Sequence, residues 1–78
     1  MAKEILSPLP GTFYRKPAPD QLPFKNDGDA VAEGDVIGLI EVMKSFHEVT
    51  AQVSGTLKSF LVEDEDAVTA GQPLATLD

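Results

Sequence analysis

One lysine stands apart in this chain. In "EVMKSFHEV", Glu41 to Val49, Lys44 lies between Met43 and Ser45 with β-prone apolar residues on both sides. A primary amine on a turn can be acylated by an enzyme without disturbing a core, and a long flexible stem lets it enter that enzyme's pocket. Met43 beside it is adaptable apolar surface, suited to a recognition contact. Before attacking an activated acyl group the ammonium must lose its proton, a step that belongs to the modifying enzyme's site. The plainer reading of Lys44 is a solubilising surface charge.

The other reactive residue types do not assemble into a site. His47 is the only histidine and there is no cysteine, so zinc sites, Cys/His pairs, disulfide staples and a catalytic thiol are excluded. A Ser–His–Asp set drawn through His47 lacks a nucleophile elbow, and His47 reads as a partly exposed strand residue. The carboxylates of "VEDED", Val62 to Asp66, lack EF-hand spacing and read as a solvated turn. Gly28, Gly34 and Gly38 fit neither the dinucleotide fingerprint nor the P-loop. Catalysis by the chain alone is therefore not supported.

Composition narrows the classes further. Seventy-eight residues, 42% of them hydrophobic, suit one folded domain with a small core. A net charge of −7 opposes phosphate backbones and anionic lipid, so neither nucleic acid nor membrane is expected as a partner, whereas a basic protein surface is attracted. The simpler role of that acidity is solubility. No apolar run approaches the ~18 residues of a membrane span, and "MAKEILSPLP" lacks the apolar stretch of a signal peptide. The lack of cysteine is compatible with a reducing cytosol, and a cytoplasmic location is expected.

The elements that position Lys44 follow from an internal repeat. "DAVAEGDVIGLIE" (29–41) and "DAVTAGQPLATLD" (66–78) align at an offset of 37, and "SPLPGTFYR" (7–15) aligns with "AQVSGTLKS" (51–59) at an offset of 44. The order is the same in both halves, which points to duplication and a pseudo-two-fold structure. The first half carries seven additional residues between its "GTF" and its "DAV", in the region of "KPAPDQLPF", Lys16 to Phe24. Pro17, Pro19 and Pro23 fix φ and remove amide donors, which predicts a stiff protruding loop rather than a strand; a tolerated surface insertion is the alternative. The segment 42–50 joins the halves, so Lys44 is expected at one extreme of the domain.

Short β-prone runs separated by turn residues predict strands at 4–7, 11–14, 30–31, 36–42, 46–50, 55–62, 67–68 and 74–77. No segment keeps a 3.6-residue apolar period. "VIGLIEVM" is apolar almost throughout, as in a strand with little solvent on either face. "EVMKSFHEV" reads as strand, tight turn, strand. It lacks the Asn-Gly of a tight hairpin, so the turn rests on the repeat boundary. The predicted architecture is all-β, a small sandwich or flattened barrel of two sheets.

These residues resemble a known family. "SPLPGTFYRKPAPD", "VAEGDVIGLIEVMKSFHEV" and "SGTLKSFLVEDEDAVTAGQPL" look like the biotinyl domain of biotin carboxyl carrier proteins, most like those of bacterial acetyl-CoA carboxylase, over essentially the whole chain. The resemblance implies two four-stranded antiparallel sheets in a barrel-sandwich hybrid, with residues 1–78 as one domain, an attachment hairpin at 41–49 and a thumb at 16–24. It implies biotin in amide linkage on Lys44, with Glu41, Val42, Met43 and Ser45 read by a biotin protein ligase. It also implies a thumb of Lys16, Pro17, Ala18, Pro19 and Asp20. The implied role is a non-catalytic carrier that takes a carboxyl group from biotin carboxylase to a carboxyltransferase acting on acetyl-CoA or a related acyl-CoA, within fatty acid biosynthesis. Two positions depart from the family pattern. Val42-Met43-Lys44-Ser45 stands where Ala-Met-Lys-Met is usual, and a ligase that reads both methionines would modify this domain less well. Lys16 stands where the thumb often has threonine, replacing a hydroxyl by an ammonium that could attract carboxybiotin, an anion. Carriers of this family usually follow a Pro/Ala-rich linker; the 78 residues contain none, which leaves an excised domain and a short carrier both open. A lipoyl carrier of a 2-oxoacid dehydrogenase complex, which typically has Asp-Lys-Ala at the tip, and an unmodified docking module are the alternatives.

Overall fold

The computed structural model describes residues 3–78. Alternation of inward apolar and outward polar positions produces eight strands: β1 Lys3–Leu6, β2 Gly11–Tyr14, β3 Ala30–Val31, β4 Val36–Val42, β5 Ser45–Thr50, β6 Gly55–Phe60, β7 Asp66–Val68 and β8 Pro73–Leu77. They form two four-stranded antiparallel sheets, ordered β1-β8-β6-β3 and β5-β4-β2-β7. The flattened two-sheet barrel expected from the sequence is the one observed, and no helix occurs among the described residues.

The differences lie at strand ends. Ser7, expected in β1, falls outside it; its hydroxyl is buried and donates to the Leu9 carbonyl (2.6 Å), bending the chain. β6 ends at Phe60 rather than Val62, with one further bond to β8 from the Leu61 amide to the Leu74 carbonyl (2.8 Å). β5 begins one residue early, at Ser45, and leaves only Met43 and Lys44 in the turn.

The repeat is visible strand by strand. The two offsets carry β2 onto β6, β3 onto β7 and β4 onto β8, so one sheet's order maps onto the other's with β5 over β1. Each half lends its short strand to the opposite sheet: β3 pairs with β6, and β7 with β2. This exchange locks the halves together around Phe13, Ile37, Ile40, Val49, Leu57, Leu74 and Leu77, all essentially without solvent exposure. At roughly 1.5–3 kcal/mol for burying each large apolar side chain, this cluster is the main favourable term available to a chain without staples.

One turn device recurs four times, at 26–29, 32–35, 63–66 and 69–72. In each, the side chain of the fourth residue (Asp29, Asp35, Asp66, Gln72) accepts from the amide of the first, and the fourth amide returns to the first carbonyl. The third residue adopts positive φ: Gly28 91°, Glu65 70°, Gly34 94° and Gly71 82°. Glycine takes that conformation without steric cost, and Glu65 is the exception.

Candidate functional site

The β4–β5 hairpin is the longest strand pair, and Val42 opposite Ser45 is its last rung. A two-residue hairpin loop of type I′ has positive φ at both central positions, which matches the twist of the strands. Met43 and Lys44 adopt it, at 50° and 68°. Neither is glycine or asparagine, so each carries a steric cost of about 1–2 kcal/mol in the left-handed region. Both are exposed, Met43 at 94%.

The residues flanking the tip divide by face. Ser45 is exposed beside the turn. Val42 packs on the core. Glu41 is half-buried, and its Oε1 accepts from the Tyr14 hydroxyl at 3.0 Å. That bond, then burial, then the charge of Glu41 raise the Tyr14 phenol above its ordinary pKa. Of these four neighbours, Met43 and Ser45 are open to another protein, while Val42 and Glu41 hold the hairpin in place.

On the outer face of this sheet lies a groove of about 400 Å³. Tyr14 and Phe46 form its floor, with ring centroids 6.0 Å apart. One wall is Lys16, Pro17, Ala18 and Pro19; the other is Asp64 and Glu65. The expected loop does protrude as irregular chain, closed at its base by the Phe24 amide donating to the Arg15 carbonyl (3.0 Å). Asp20 of that loop is exposed and lies outside the groove. The opposite wall is fixed by two bonds: the Arg15 amide donates to Asp64 Oδ1 (2.7 Å) and the Glu65 amide to the Phe13 carbonyl (2.6 Å). "VEDED" is thus a turn, as expected, but one that shapes the groove. His47 is exposed on β5, and no cluster of metal-ligating residues occurs among the described residues.

Tyr14, Phe46, Asp64 and Glu65 were not apparent as site residues in the sequence. Tyr14 and Phe46 share the outer face only through the β2–β4–β5 register, in which Thr12 faces Glu41 and Glu41 faces Phe46. Glu65 does carry a sequence signal: the 37-residue offset sets it opposite Gly28, a position that calls for glycine.

A family described as biotin-requiring enzyme (biotin/lipoyl) matches residues 3–77. The biotin carboxyl carrier protein of acetyl-CoA carboxylase from Pseudomonas aeruginosa is 41% identical over 94% of this chain and 47% of its own length. The chloroplastic biotin carboxyl carrier protein of acetyl-CoA carboxylase 2 from Arabidopsis thaliana is 44% identical over 90% of this chain and 28% of its own length. The chain therefore spans less than half the length of these relatives. Among solved structures, Kluyveromyces lactis urea carboxylase superposes on the whole chain with a TM-score of 0.79 and 31% identity, using 6% of that chain.

Proposed function

Because this chain belongs to the biotin-requiring enzyme family, we propose that it is a biotin carrier domain, residues 1–78, with biotin in amide linkage on Lys44. The observation that carries this reading is the Met43-Lys44 turn: an exposed amine at a hairpin apex, held there by a residue pair that strains the turn. Strain of this kind persists where the side chain matters more than the local energy. In this reading a biotin protein ligase acylates the Lys44 Nζ and contacts Met43 and Ser45. The loop 16–24 is the thumb beside the cofactor, and the hairpin is 41–49.

Biotin supplies the carboxyl-carrying chemistry, and the domain supplies presentation. A tether on a rigid apex keeps the cofactor at a high effective concentration near two active sites in turn. Those sites belong to a biotin carboxylase and to a carboxyltransferase acting on acetyl-CoA or a related acyl-CoA, in a cytoplasmic complex; the relatives' names support the acetyl-CoA assignment. The chain itself is non-catalytic in this reading.

Intact mass after expression with biotin and a biotin protein ligase tests it. One biotinyl increment is expected on the wild type and none on Lys44→Ala. A lipoyl increment, or a biotinyl label that survives in Lys44→Ala, overturns the assignment.

A further inference from the structure

The groove beside the apex is built of unlike walls, and its chemistry goes beyond simple presentation. Its floor and one wall are apolar: the Tyr14 and Phe46 rings, Pro17, Ala18 and Pro19. Its charges are one ammonium, Lys16, against two carboxylates, Asp64 and Glu65. Asp64 is partly committed, through Oδ1, to the Arg15 amide. The Glu65 carboxylate accepts no hydrogen bond from a described side chain or amide, and its residue is kept at a φ of 70° where the three equivalent turns have glycine. Phe46 lies two positions past Lys44 on β5, about 7 Å along the strand, so the groove is within reach of a group tethered at Lys44.

Resting on the carrier reading above, we infer that this groove distinguishes the charge state of the tethered cofactor, and that Glu65 is the residue that does so. The uncharged bicyclic ring presents an apolar thioether edge and a urea with two N–H donors and one carbonyl acceptor. Aromatic and proline surfaces suit the first; the Glu65 carboxylate accepts from a urea N–H, and the Lys16 ammonium donates to the carbonyl. Carboxylation replaces one N–H by N–CO₂⁻. The ring then loses a donor toward Glu65 and brings an anion to a wall that already carries two negative charges. The unloaded cofactor is held against the domain, and the loaded one is released to swing. Lys16, expected from sequence to attract carboxybiotin, is outweighed by the two carboxylates that the fold sets across from it.

The test uses holo protein carrying ¹⁵N-labelled biotin, with ring mobility read by ureido ¹⁵N relaxation before and after carboxylation by biotin carboxylase, ATP and bicarbonate. In the wild type the uncharged ring is expected to tumble with the domain and the carboxylated ring to move freely. In Glu65→Gln the carboxylated ring is expected to be held about fourfold more than in the wild type, the factor for removing one unit repulsion at roughly 5 Å in water. Glu65→Gly, which relaxes the backbone as well, is expected to show the same retention. A ring that is free in the wild type before carboxylation, or equal mobility of the carboxylated ring in wild type and Glu65→Gln, overturns the inference. Failure of the carrier reading itself shows separately, as a missing mass increment. The groove is then read on the unmodified chain by titration with biotin methyl ester and with its N-carboxylated form: shifts of the Tyr14, Lys16, Phe46 and Glu65 amides with the first and not with the second uphold it, and no shift or equal shifts overturn it.

Discussion

At the scale of single residues, the chain departs from local preference where the proposed chemistry lies. Met43 and Lys44 occupy left-handed positions that Asn-Gly fills without strain. Lys44→Ala and Lys44→Gly should both abolish modification, yet differ in stability. Alanine keeps the strained φ and glycine relieves it, so Lys44→Gly should be more stable by about 1 kcal/mol, or roughly 4–8 °C in melting temperature for a domain of this size. Paired thermal melts decide this, and equal melting of the two variants would contradict the strained turn. Tyr14 offers a spectroscopic check, since it is the only tyrosine. Its bond to Glu41 favours the neutral phenol, so its ultraviolet titration should run above the ordinary tyrosine range. Glu41→Gln should shift it back down. A raised folded pKa means that the corresponding stability is present at neutral pH and is lost as pH rises through that titration.

At the scale of elements, four like turns organise the loops, and acid is predicted to weaken the one that Asp35 closes. Asp35 caps the Ala32 amide and pairs with Lys25 at 3.3 Å; the cap first, then the lysine, hold its carboxyl below the usual range. With the folded pKa depressed, the unfolded chain binds more protons, so stability falls as pH drops through the carboxylate range. Melts between about pH 5 and pH 3 should show a shallower loss in Asp35→Asn than in the wild type. The proline loop also belongs to this scale. Its prolines make it stiff, but its role as a groove wall comes from lying against Tyr14 and across from the 63–66 turn.

At the scale of the whole molecule, paired strands close onto the core where glycine removes a side chain, as Gly38 on β4 does against β2 of the same sheet. A Cβ on Gly38 would stand 2.5 Å from the Phe13 ring and 2.8 Å from the Tyr14 carbonyl oxygen, and Phe13 is wholly buried. Gly38→Ala should therefore destabilise the domain by about 1–3 kcal/mol, measured by urea unfolding. The apex should still form, because the rungs from Leu39–Glu48 to Val42–Ser45 lie between Gly38 and the turn, and the same biotinyl increment is expected on the folded fraction. Gly11 and Gly55, equivalent through the 44-residue offset, meet a like constraint: a Cβ on Gly55 would stand 2.5 Å from the Asp78 carbonyl oxygen, and one on Gly11 would meet the Glu41 carbonyl oxygen.

The strand series, the duplication and the turn at Lys44 were legible because each depends on local pattern: alternation, breakers, and a 37-residue offset read along the chain. Tertiary structure alone decided the exchange of β3 and β7 between sheets, the outer face shared by Tyr14, Glu41 and Phe46, and the groove that sets Lys16 against Asp64 and Glu65. Those depend on which strands pair and in what register, between residues some 20 to 50 positions apart. No local preference encodes such a meeting, because it is the burial of one shared core that selects it.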